Sequence, residues 1–476
     1  MNFTGSKFKD TNSSSLYRAV WRWHFYAGII VAPFVIFLAI TGGLYLWKPQ
    51  YEAWRYRDLF TVPATPETVS ADAQLKAAQA AAPADWHAQT FQPGFAADET
   101  AQVAFKRGGG QKAFGPGLTV FVNPHTGVVV GQLDDEARTM RFIHDLHGTL
   151  LAGKAGEYVV ELVASWALVL FLTGLYLWWP RPTFTVWGFL LPRLRAKGRV
   201  FWRDLHAVPA VWLAASTLFL LSTGLLWSKA SGQWYRTLSA ALGQGTPRES
   251  SAGAHRSELT GWSPPLKAGL AEKIDTLASV PPDDPHAEHR GAVEATASPN
   301  HEHSKTPSLS LDRVLALAEE HRVPWPYAVT LPVGPTGVYS VLTDRNHAFS
   351  RTYLHLDRYS GRVLAEVRFK DFGYLAQFGL WGIIAHEGQL FGLANQIIGT
   401  IAAAGVFVLA ASGLALWWQR RPPGKLAAPT SEATLPRPVL IGILVLAALL
   451  PLLAASLVVG WLVDTLAFRW RVSPRR

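Results

Sequence analysis

Apolar residues in this chain are gathered into long blocks, and this uneven distribution restricts its possible folds more than any other feature. A helix needs about 20 mostly apolar residues to cross the hydrocarbon core of a bilayer. Trp and Tyr crowd the ends of the blocks, as in "GLYLWKPQYEAW" and "LALWWQRRP", which is typical of membrane interfaces. We predict a membrane protein with an α-helical bundle of four core spans plus a fifth C-terminal hydrophobic segment. The segments lie at 25–47, 147–179, 207–228, 386–418 and 439–463.

Basic residues in the short connections predict the orientation of the spans, because Lys and Arg favour the cytoplasmic side. The segments rich in Lys and Arg are 1–24, 180–206 and 419–438. The long loops 48–146 and 229–385 then lie on the opposite side, which is the periplasm if the membrane is the inner membrane of a Gram-negative bacterium. The basic tail 464–476 would also fall outside, against the rule, unless the fifth segment is re-entrant around Pro451. The net charge of +10 mostly reflects this topology, and no motif indicates nucleic-acid binding.

The complete absence of cysteine excludes several kinds of redox and metal site. Disulfides, iron–sulfur clusters, thiolate metal sites and covalently attached c-type haem all require cysteine. Methionine is nearly absent too, at Met1 and Met140 only. Histidine is therefore the main candidate ligand for a metal held at the membrane.

The chain aligns with itself without gaps, which predicts an internal duplication. "HFYAGIIVAPFVIFLAITG", which begins at His24, matches "HAVPAVWLAASTLFLLSTG", which begins at His206. The segment from His147 to "GLYLWW" matches the segment from His386 to "GLALWW". His144 falls on an isoleucine and has no counterpart.

The two long loops repeat a second pattern, which predicts two periplasmic α+β domains. Each contains a helix-like run ("ADAQLKAAQAA" and "SLDRVLALAEEH") and a turn between strand-like runs ("NPHTG" and "DRYSG"). Glycine ends each turn, at a position where hairpin turns commonly require a positive φ. Segment 241–305 is rich in Pro, Ser and charge and is interpreted as a flexible linker. Four histidines towards its end, His286, His289, His301 and His303, could bind a metal loosely, but we favour the interpretation that they belong to a solvated linker.

The four aligned histidines form two pairs at opposite membrane faces. We call His24 and His206 the inner pair, and His147 and His386 the outer pair. Two imidazoles from facing helices, with no other soft ligand, suit a bis-histidine b-type haem in a bundle core. Zinc would need three or four ligands at each site. The sequence therefore predicts two b-type haems with these histidines as axial ligands of the iron.

Further residues near the pairs are weaker candidates for cofactor binding. His144 could support the outer site, replace a ligand, contact substrate or simply be an interfacial polar residue. Arg22 and Arg203 near the inner pair, and Arg141 near the outer pair, could meet haem propionates. Arg22 and Arg203 could instead be charges that set the topology. Glu161, about one turn inside the continuous apolar run 158–179 of the second segment, could bond a haem ligand or propionate, accept a proton from quinol, or face the headgroups.

The segment "LHGTLLAGKAGEYVVELVASWALVLFLTGLYLWWPRP" resembles the PepSY-associated transmembrane proteins, and "NPHTG" and "DRYSG" look like the turn motif of PepSY domains. The resemblance covers nearly all of residues 17–420. It implies a multi-pass protein of the bacterial inner membrane, with b-type haems between four core helices and two periplasmic PepSY domains. The family's histidines at helix ends match His24, His147, His206 and His386. The characterised type is a ferric-siderophore reductase.

The resulting hypothesis is a transmembrane haem-b electron-transfer enzyme that reduces ferric siderophores in the periplasm and releases Fe²⁺. Aromatic and basic side chains that could receive a siderophore are Trp86, Trp325, Tyr327, Trp381 and Arg345. The chain shows no nucleotide-binding fingerprint. Quinol, which is dissolved in the membrane lipid, or a partner flavoprotein would therefore supply the electrons.

Two alternatives remain open. The PepSY domains could form an envelope binding or regulatory module without redox activity, with the spans as anchors. Such a module would not need four aligned histidines. The chain could instead transport iron or siderophore, but the spans carry almost no ionisable groups near mid-membrane, where transporters place them.

Overall fold

The computed structural model describes residues 7–108, 117–179, 186–258, 307–344, 348–421 and 436–472. The chain divides into two compact units. The helical unit comprises Met1–Trp47, Ile143–Tyr235 and His386–Arg476. The sheet unit comprises Lys48–Phe142 and Arg236–Ala385.

The α-helices within the described residues are, in chain order, α1 (Lys7–Tyr45), α2 (Lys48–Arg55), α3 (Arg57–Phe60), α4 (Ala71–Ala81), α5 (Thr139–Thr149), α6 (Gly153–Trp178), α7 (Gly198–Trp212), α8 (Ala214–Leu226), α9 (Ala230–Ala241), α10 (Leu311–Glu320), α11 (Tyr374–His386), α12 (Leu393–Arg420), α13 (Arg437–Leu449) and α14 (Pro451–Val472). Short 3₁₀ helices lie at Arg248–Ser250, Ala252–Ala254, Ala348–Ser350 and Phe369–Asp371.

Three helical segments in the described part of the chain are long and apolar enough to cross a membrane. They are Ser15–Tyr45, Gly153–Trp178 and Leu393–Arg420. The expected span at 207–228 is not one straight helix, because α7 and α8 meet at an angle of 70°. At the break, the side chain of Leu213 packs directly on Gly405 of α12, where any larger residue would collide with it. The fourth candidate span is therefore a bent pair.

Two other expected spans begin later than the sequence indicated. Segment 147–179 is divided by a tight turn in which Leu150 and Leu151 have positive φ, so His147 lies in the last turn of α5 and the long helix is α6. Segment 386–418 is divided in the same way, with His386 as the last residue of α11. In each case the histidine lies in the last turn of a short helix that precedes the long apolar helix.

The fifth hydrophobic segment, expected at 439–463, forms two short helices. α13 ends at Leu449 and α14 begins at Pro451, where the proline occupies a helix start that tolerates its missing N–H. Both are classed as shorter apolar helices and not as candidate spans. The long candidate spans therefore overlap the self-aligned parts of the chain, whereas the fifth segment consists of two shorter helices.

The sheet unit is organised around one continuous antiparallel sheet of eight strands. The strands are β1 (Trp86–Gln92), β2 (Ala101–Arg107), β3 (Gly117–Val122), β4 (Val129–Asp134), β5 (Tyr327–Thr330), β6 (Val338–Thr343), β7 (Thr352–Asp357) and β8 (Val363–Arg368). Their order is β4-β3-β2-β1-β5-β6-β7-β8. The two loops were expected to fold as separate α+β domains, but β1 and β5 pair through Thr90–Thr330 and Phe91–Val329 and join them.

The hairpin turns expected from sequence are present between β3 and β4 and between β7 and β8. Gly127 and Gly361 have φ of +72° and +71°, values that side-chain-bearing residues rarely adopt. α4 and α10 match the two helix-like runs, and the buried side chains between them and the strands form one apolar core that includes Phe91, Val329 and Leu354.

Part of the segment interpreted as a linker belongs to the sheet unit. The backbone N–H of Ser257 donates to the carbonyl of Thr336 at 2.9 Å, and the N–H of Glu258 donates to Asp357 Oδ2 at 2.9 Å. The remainder of that segment, with its four histidines, lies outside the described residues.

Candidate functional site

The inner pair of histidines is drawn from two helices that face one another. His24 lies in α1 and His206 in α7, and their ring centroids are 6.2 Å apart with ring planes inclined at 73°. Two imidazoles that bind one metal ion from opposite sides, each at about 2 Å, have centroids about 6 Å apart. The spacing therefore suits a shared metal between the rings.

The outer pair is also brought together. His147 lies in the last turn of α5, His386 is the last residue of α11, and the two imidazoles are close enough to interact electrostatically. His144 interacts with His147 as well, but its Nδ1 lies 3.2 Å from Asp145 Oδ1 and its ring packs against Tyr45. His144 is therefore held by its own neighbours and is not equivalent to the pair.

Every paired histidine has its Nδ1 atom within hydrogen-bond distance of an oxygen on another helix. The Nδ1–oxygen distances are 2.9 Å for His24 and Thr173 Oγ1, 3.1 Å for His147 and Thr41 Oγ1, 3.2 Å for His386 and Thr223 Oγ1, and 2.8 Å for His206 and the Leu409 carbonyl. The same ring atom is thus engaged in all four cases.

The direction of these hydrogen bonds follows from the threonines. Thr41, Thr173 and Thr223 each donate their hydroxyl hydrogen to the carbonyl four residues earlier in their own helix, at 3.0, 2.7 and 2.7 Å. Since that hydrogen is used, Oγ1 acts as the acceptor and the histidine Nδ1–H as the donor. A carbonyl can only accept, so the same assignment holds for His206. This tautomer leaves the lone pair of Nε2 available as a metal ligand.

Each of the four imidazoles lies against a glycine that follows a threonine or serine. A Cβ atom on the glycine would stand close to the Cε1 atom of the ring, at 2.9 Å for Gly42 and His147, 3.3 Å for Gly174 and His24, 3.2 Å for Gly224 and His386, and 3.1 Å for Gly413 and His206. The glycines thus make space for all four rings, and in the pairs Thr41-Gly42, Thr173-Gly174 and Thr223-Gly224 the preceding threonine also holds the ring. In Ser412-Gly413 the serine does not bond to His206, which is held by the Leu409 carbonyl instead.

These donor sets fit a haem better than a hydrated or multi-ligand metal ion. No group of three or more His, Cys, Asp or Glu side chains comes together as a metal site within the described ranges, whereas structural zinc requires about four ligands. A haem needs only two axial nitrogens. His24 with His206, and His147 with His386, could hold one haem each.

The arginines predicted to meet propionates have other partners. Arg203 bonds to Asp204 Oδ1 through Nε at 3.0 Å, and Arg193 bonds to Asp204 Oδ2 at 2.7 Å, so the buried Asp204 carboxylate is shared by two guanidiniums. Arg22 lies over the ring of Tyr26. Arg141 belongs to the sheet unit and lies 3.7 Å from Glu136. A role with propionates stays a prediction for all three.

Glu161 is almost completely buried in α6, at 1% exposure. Its Oε2 accepts from the N–H of Ala230, and its Oε1 accepts from both the N–H and the hydroxyl of Ser231, at 2.7–2.8 Å. These residues begin α9, whose first N–H groups lack partners within the helix. The carboxylate therefore caps α9 and does not face headgroups; a proton-accepting role is not tested by this geometry.

The aromatic side chains proposed to receive a siderophore differ in accessibility. Trp325 is 41% exposed, and its ring contacts those of Phe95 and Tyr327. Tyr327 is buried, and burial raises the pKa of its hydroxyl. Trp86 packs against the apolar core of the sheet, Trp381 lies beside Phe378, and Arg345 lies outside the described residues. Tyr327 therefore cannot offer its ring as an open surface.

Comparison with known families decides the identity of the chain. A family model described as the PepSY-associated TM region matches residues 21–420. This chain belongs to the PepSY-associated transmembrane family. The expected resemblance is confirmed, and the matched region contains all four paired histidines. No curated protein gave a significant match.

Sequence reasoning about this PepSY-associated protein missed the threonines that hold the histidines. The self-alignment had already placed Thr41-Gly42 on Thr223-Gly224 and Gly174 on Gly413. What it lacked was the contact partner, because His24 and Thr173 lie far apart in sequence. The sequence did contain a pattern that could have pointed to these contacts, because each of the four aligned blocks has a Thr or Ser followed by Gly.

Proposed function

We propose that this protein is a transmembrane haem-b electron-transfer enzyme that reduces ferric siderophores on the periplasmic side of a bacterial inner membrane. One electron converts the bound Fe³⁺ to Fe²⁺, which hard oxygen donors hold poorly, so iron is released. The observation that carries the proposal is the set of four histidines, each with Nδ1–H engaged and Nε2 available.

The residues divide the work as follows. His24 with His206, and His147 with His386, would bind two haems, which supply one-electron redox chemistry when bound. The threonine hydroxyls and the Leu409 carbonyl fix the tautomer and orientation of the rings. The adjacent glycines let each ring lie flush against a helix backbone. Because the bound haems would supply the electron-transfer chemistry, no nucleophile or general base is required of the chain.

The topology proposed with this function has the N-terminus in the cytoplasm and the sheet unit in the periplasm. Four spans arise from a duplicated pair: α1 with α6, and the bent α7–α8 helix with α12. The equivalent histidine–glycine contacts in the two halves support this duplication. Quinol from the membrane or a partner flavoprotein would donate the electrons, and an exposed part of the sheet unit such as Trp325 would face the siderophore.

One observation favours the transporter alternative. The 70° break between α7 and α8 is of the kind that transporters use at substrate sites, where half-helix ends face the bound solute. The residues at this break (Trp212, Leu213 and Ala214) carry no ionisable group that would bind a cation. The break therefore gives less support to transport than the histidine pairs give to electron transfer.

The deciding experiment is an oxidised-minus-reduced optical spectrum of the purified protein, with haem quantified per chain. We expect sharp b-type bands at about two haems per chain. His147→Ala should remove part of the haem, whereas the control variant His144→Ala should retain it. Proteoliposomes with a ferric siderophore and a ferrous chelator outside, and a reducing quinol in the membrane, then test Fe²⁺ release. A chain that purifies without haem would overturn the proposal.

A further inference from the structure

One end of the helical unit carries two arginines on the helix faces that form the inner pair. Arg199 lies seven residues before His206 in α7, and Arg420 lies seven residues after Gly413 in α12. Seven residues are about two helical turns, or about 10 Å along the axis, so each arginine shares a face with the residue that forms the inner site. Because Arg420 experiences the positive charge of Arg199, α7 and α12 bring both arginines to the same end.

The guanidinium of Arg420 is held over the ring of Trp21 in α1, at 4.2 Å from the ring centroid. Trp21 lies three residues before His24, so it belongs to the face of α1 that carries the other inner histidine. A guanidinium that stacks on a ring uses its flat face, and its N–H groups point outward from its edge. The contact therefore orients a cation on the side of the inner pair while its hydrogen-bond donors stay available.

No carboxylate forms an ion pair with Arg199 or Arg420 within the described residues. The acidic residue nearest to Arg199 along the chain is Asp204, and its carboxylate is already shared by Arg193 and Arg203. Two like charges that lie close together repel one another, and the repulsion grows where the surroundings are poor in water. This position therefore favours an anion that can accept hydrogen bonds from both guanidiniums.

A haem bound at the inner pair would bring two anions of this kind. Its propionates are carboxylates, which are costly in the hydrocarbon region and therefore favour the nearer membrane surface. In the proposed topology that surface lies at the end of the bundle that carries Arg199 and Arg420. Two helical turns are a distance that a propionate and an extended arginine side chain can cover together.

We propose that Arg199 and Arg420 bind the propionates of the inner haem, an assignment that rests on the proposed haem binding by His24 and His206. Arg203, by contrast, has its charge partly compensated by Asp204. Two cations beside the propionates would help to retain the haem. They would also favour its reduced state, because reduction adds a negative charge.

The test uses the purified holoprotein with haem that is ¹³C-labelled at the propionate carboxyls. Infrared difference spectra between the oxidised and reduced protein should show ¹³C-sensitive carboxylate bands that shift in Arg199→Gln and in Arg420→Gln. In optical redox titrations, the same variants should lower the midpoint potential of one haem component only, the one that remains in His147→Ala. Arg420→Lys, which keeps the charge, should retain most of the wild-type midpoint.

Arg421→Gln is the matched control. Arg421 follows Arg420 directly and stacks on Trp418 at 3.6 Å, but it points to a different side of α12, so its replacement should leave the bands and both midpoints unchanged. An equal shift in this control would overturn the assignment.

Unchanged bands and midpoints in Arg199→Gln and Arg420→Gln, with two haems still bound, would also overturn the assignment. If these variants lose anionic lipid that copurifies with the wild type, the two arginines bind a lipid phosphate instead. Protein without haem bands would overturn the proposed function, and the assignment with it.

Discussion

The imidazole of His147 lies so close to α1 that a Cβ atom on Gly42 would stand 2.9 Å from its Cε1. Carbon atoms pack without strain at about 3.5–4.0 Å. Only glycine at position 42 therefore lets the ring keep its hydrogen bond to Thr41. The contact links the sequence "TG" directly to the position of a proposed haem ligand.

Gly42→Ala is accordingly expected to displace His147 and weaken the outer site. Haem content should fall from about two per chain towards one, as measured by a pyridine haemochrome assay. Gly43→Ala is the matched control, because a Cβ there meets Ala403 at an ordinary 3.5 Å. Equal haem loss in both variants would show that helix packing in general, and not the histidine contact, causes the effect.

Replacing Glu161 by Gln is expected to destabilise the helical unit. The amide cannot accept at both positions, so at least one N–H at the start of α9 loses its partner, at a cost of about 1–3 kcal/mol. Thermal unfolding in detergent measures the change, and Ser231→Ala, which removes one of the three bonds, should cost less. If Glu161→Gln unfolds normally but slows reduction by quinol, the carboxylate acts in proton transfer instead.

The stability of the sheet unit should fall in mildly acidic solution because of His355. Its Nδ1 lies 2.8 Å from the Ser340 hydroxyl and its Nε2 lies 3.0 Å from the Ser250 carbonyl. Burial lowers the pKa of His355 to about 4. The hydrogen bond to the Ser250 carbonyl raises this pKa, and the neighbouring His255 lowers it further. The unfolded chain, with an ordinary pKa of about 6.5, then binds a proton that the folded chain resists.

The stabilising contribution of neutral His355 is therefore complete above pH about 6.5 and is lost progressively as the pH falls towards 4. Ordinary carboxylates stay ionised between pH 7 and 5, so a comparison at these two values isolates histidine. We expect a lower unfolding temperature at pH 5, followed by tryptophan fluorescence of the full chain. His355→Gln should be less stable at pH 7 but show a smaller difference between the two pH values. An unchanged pH dependence in that variant would contradict this assignment.

Asp72 and Asp312 cap each other's helices in the sheet unit. Asp312 Oδ1 accepts from the N–H of Ala71 at 2.8 Å, and Asp72 Oδ1 accepts from the N–H of Leu311 at 3.0 Å. Each carboxylate also lies near the positive end of the other helix. Asp72→Ala and Asp312→Ala should each cost about 0.5–2 kcal/mol of unfolding free energy.

The control for this pair is Glu320→Ala, also on α10, which removes only an exposed ion pair with Arg313 and should cost less than about 1 kcal/mol. Chemical unfolding of the full chain, followed by fluorescence, compares the three variants. If Glu320→Ala destabilises the protein as much as either aspartate variant, the two capping carboxylates make no specific contribution to the free energy of unfolding.

Local pattern was enough to predict the long apolar helices and the hairpin turns, and it selected the four histidines as candidate ligands. Hydropathy is a property of consecutive residues, so Ser15–Tyr45 and Leu393–Arg420 could be expected from composition alone. Glycine at positions 127 and 361 specifies a turn through its own backbone freedom. The register of His24 with His206 in the self-alignment needed no knowledge of contacts.

Contacts between distant parts of the chain arise only on folding. The pairing of Phe91 with Val329 joins two loops into one sheet, and the bond from His24 to Thr173 assigns a ring tautomer. The break at Leu213 depends on Gly405, far along the chain on α12. Hydropathy and turn chemistry act over a few residues, whereas these features depend on which surfaces meet when the helices and strands pack. The sequence by itself therefore identifies the four histidines as candidates, whereas packing determines the orientation of each ring and its hydrogen-bond partner.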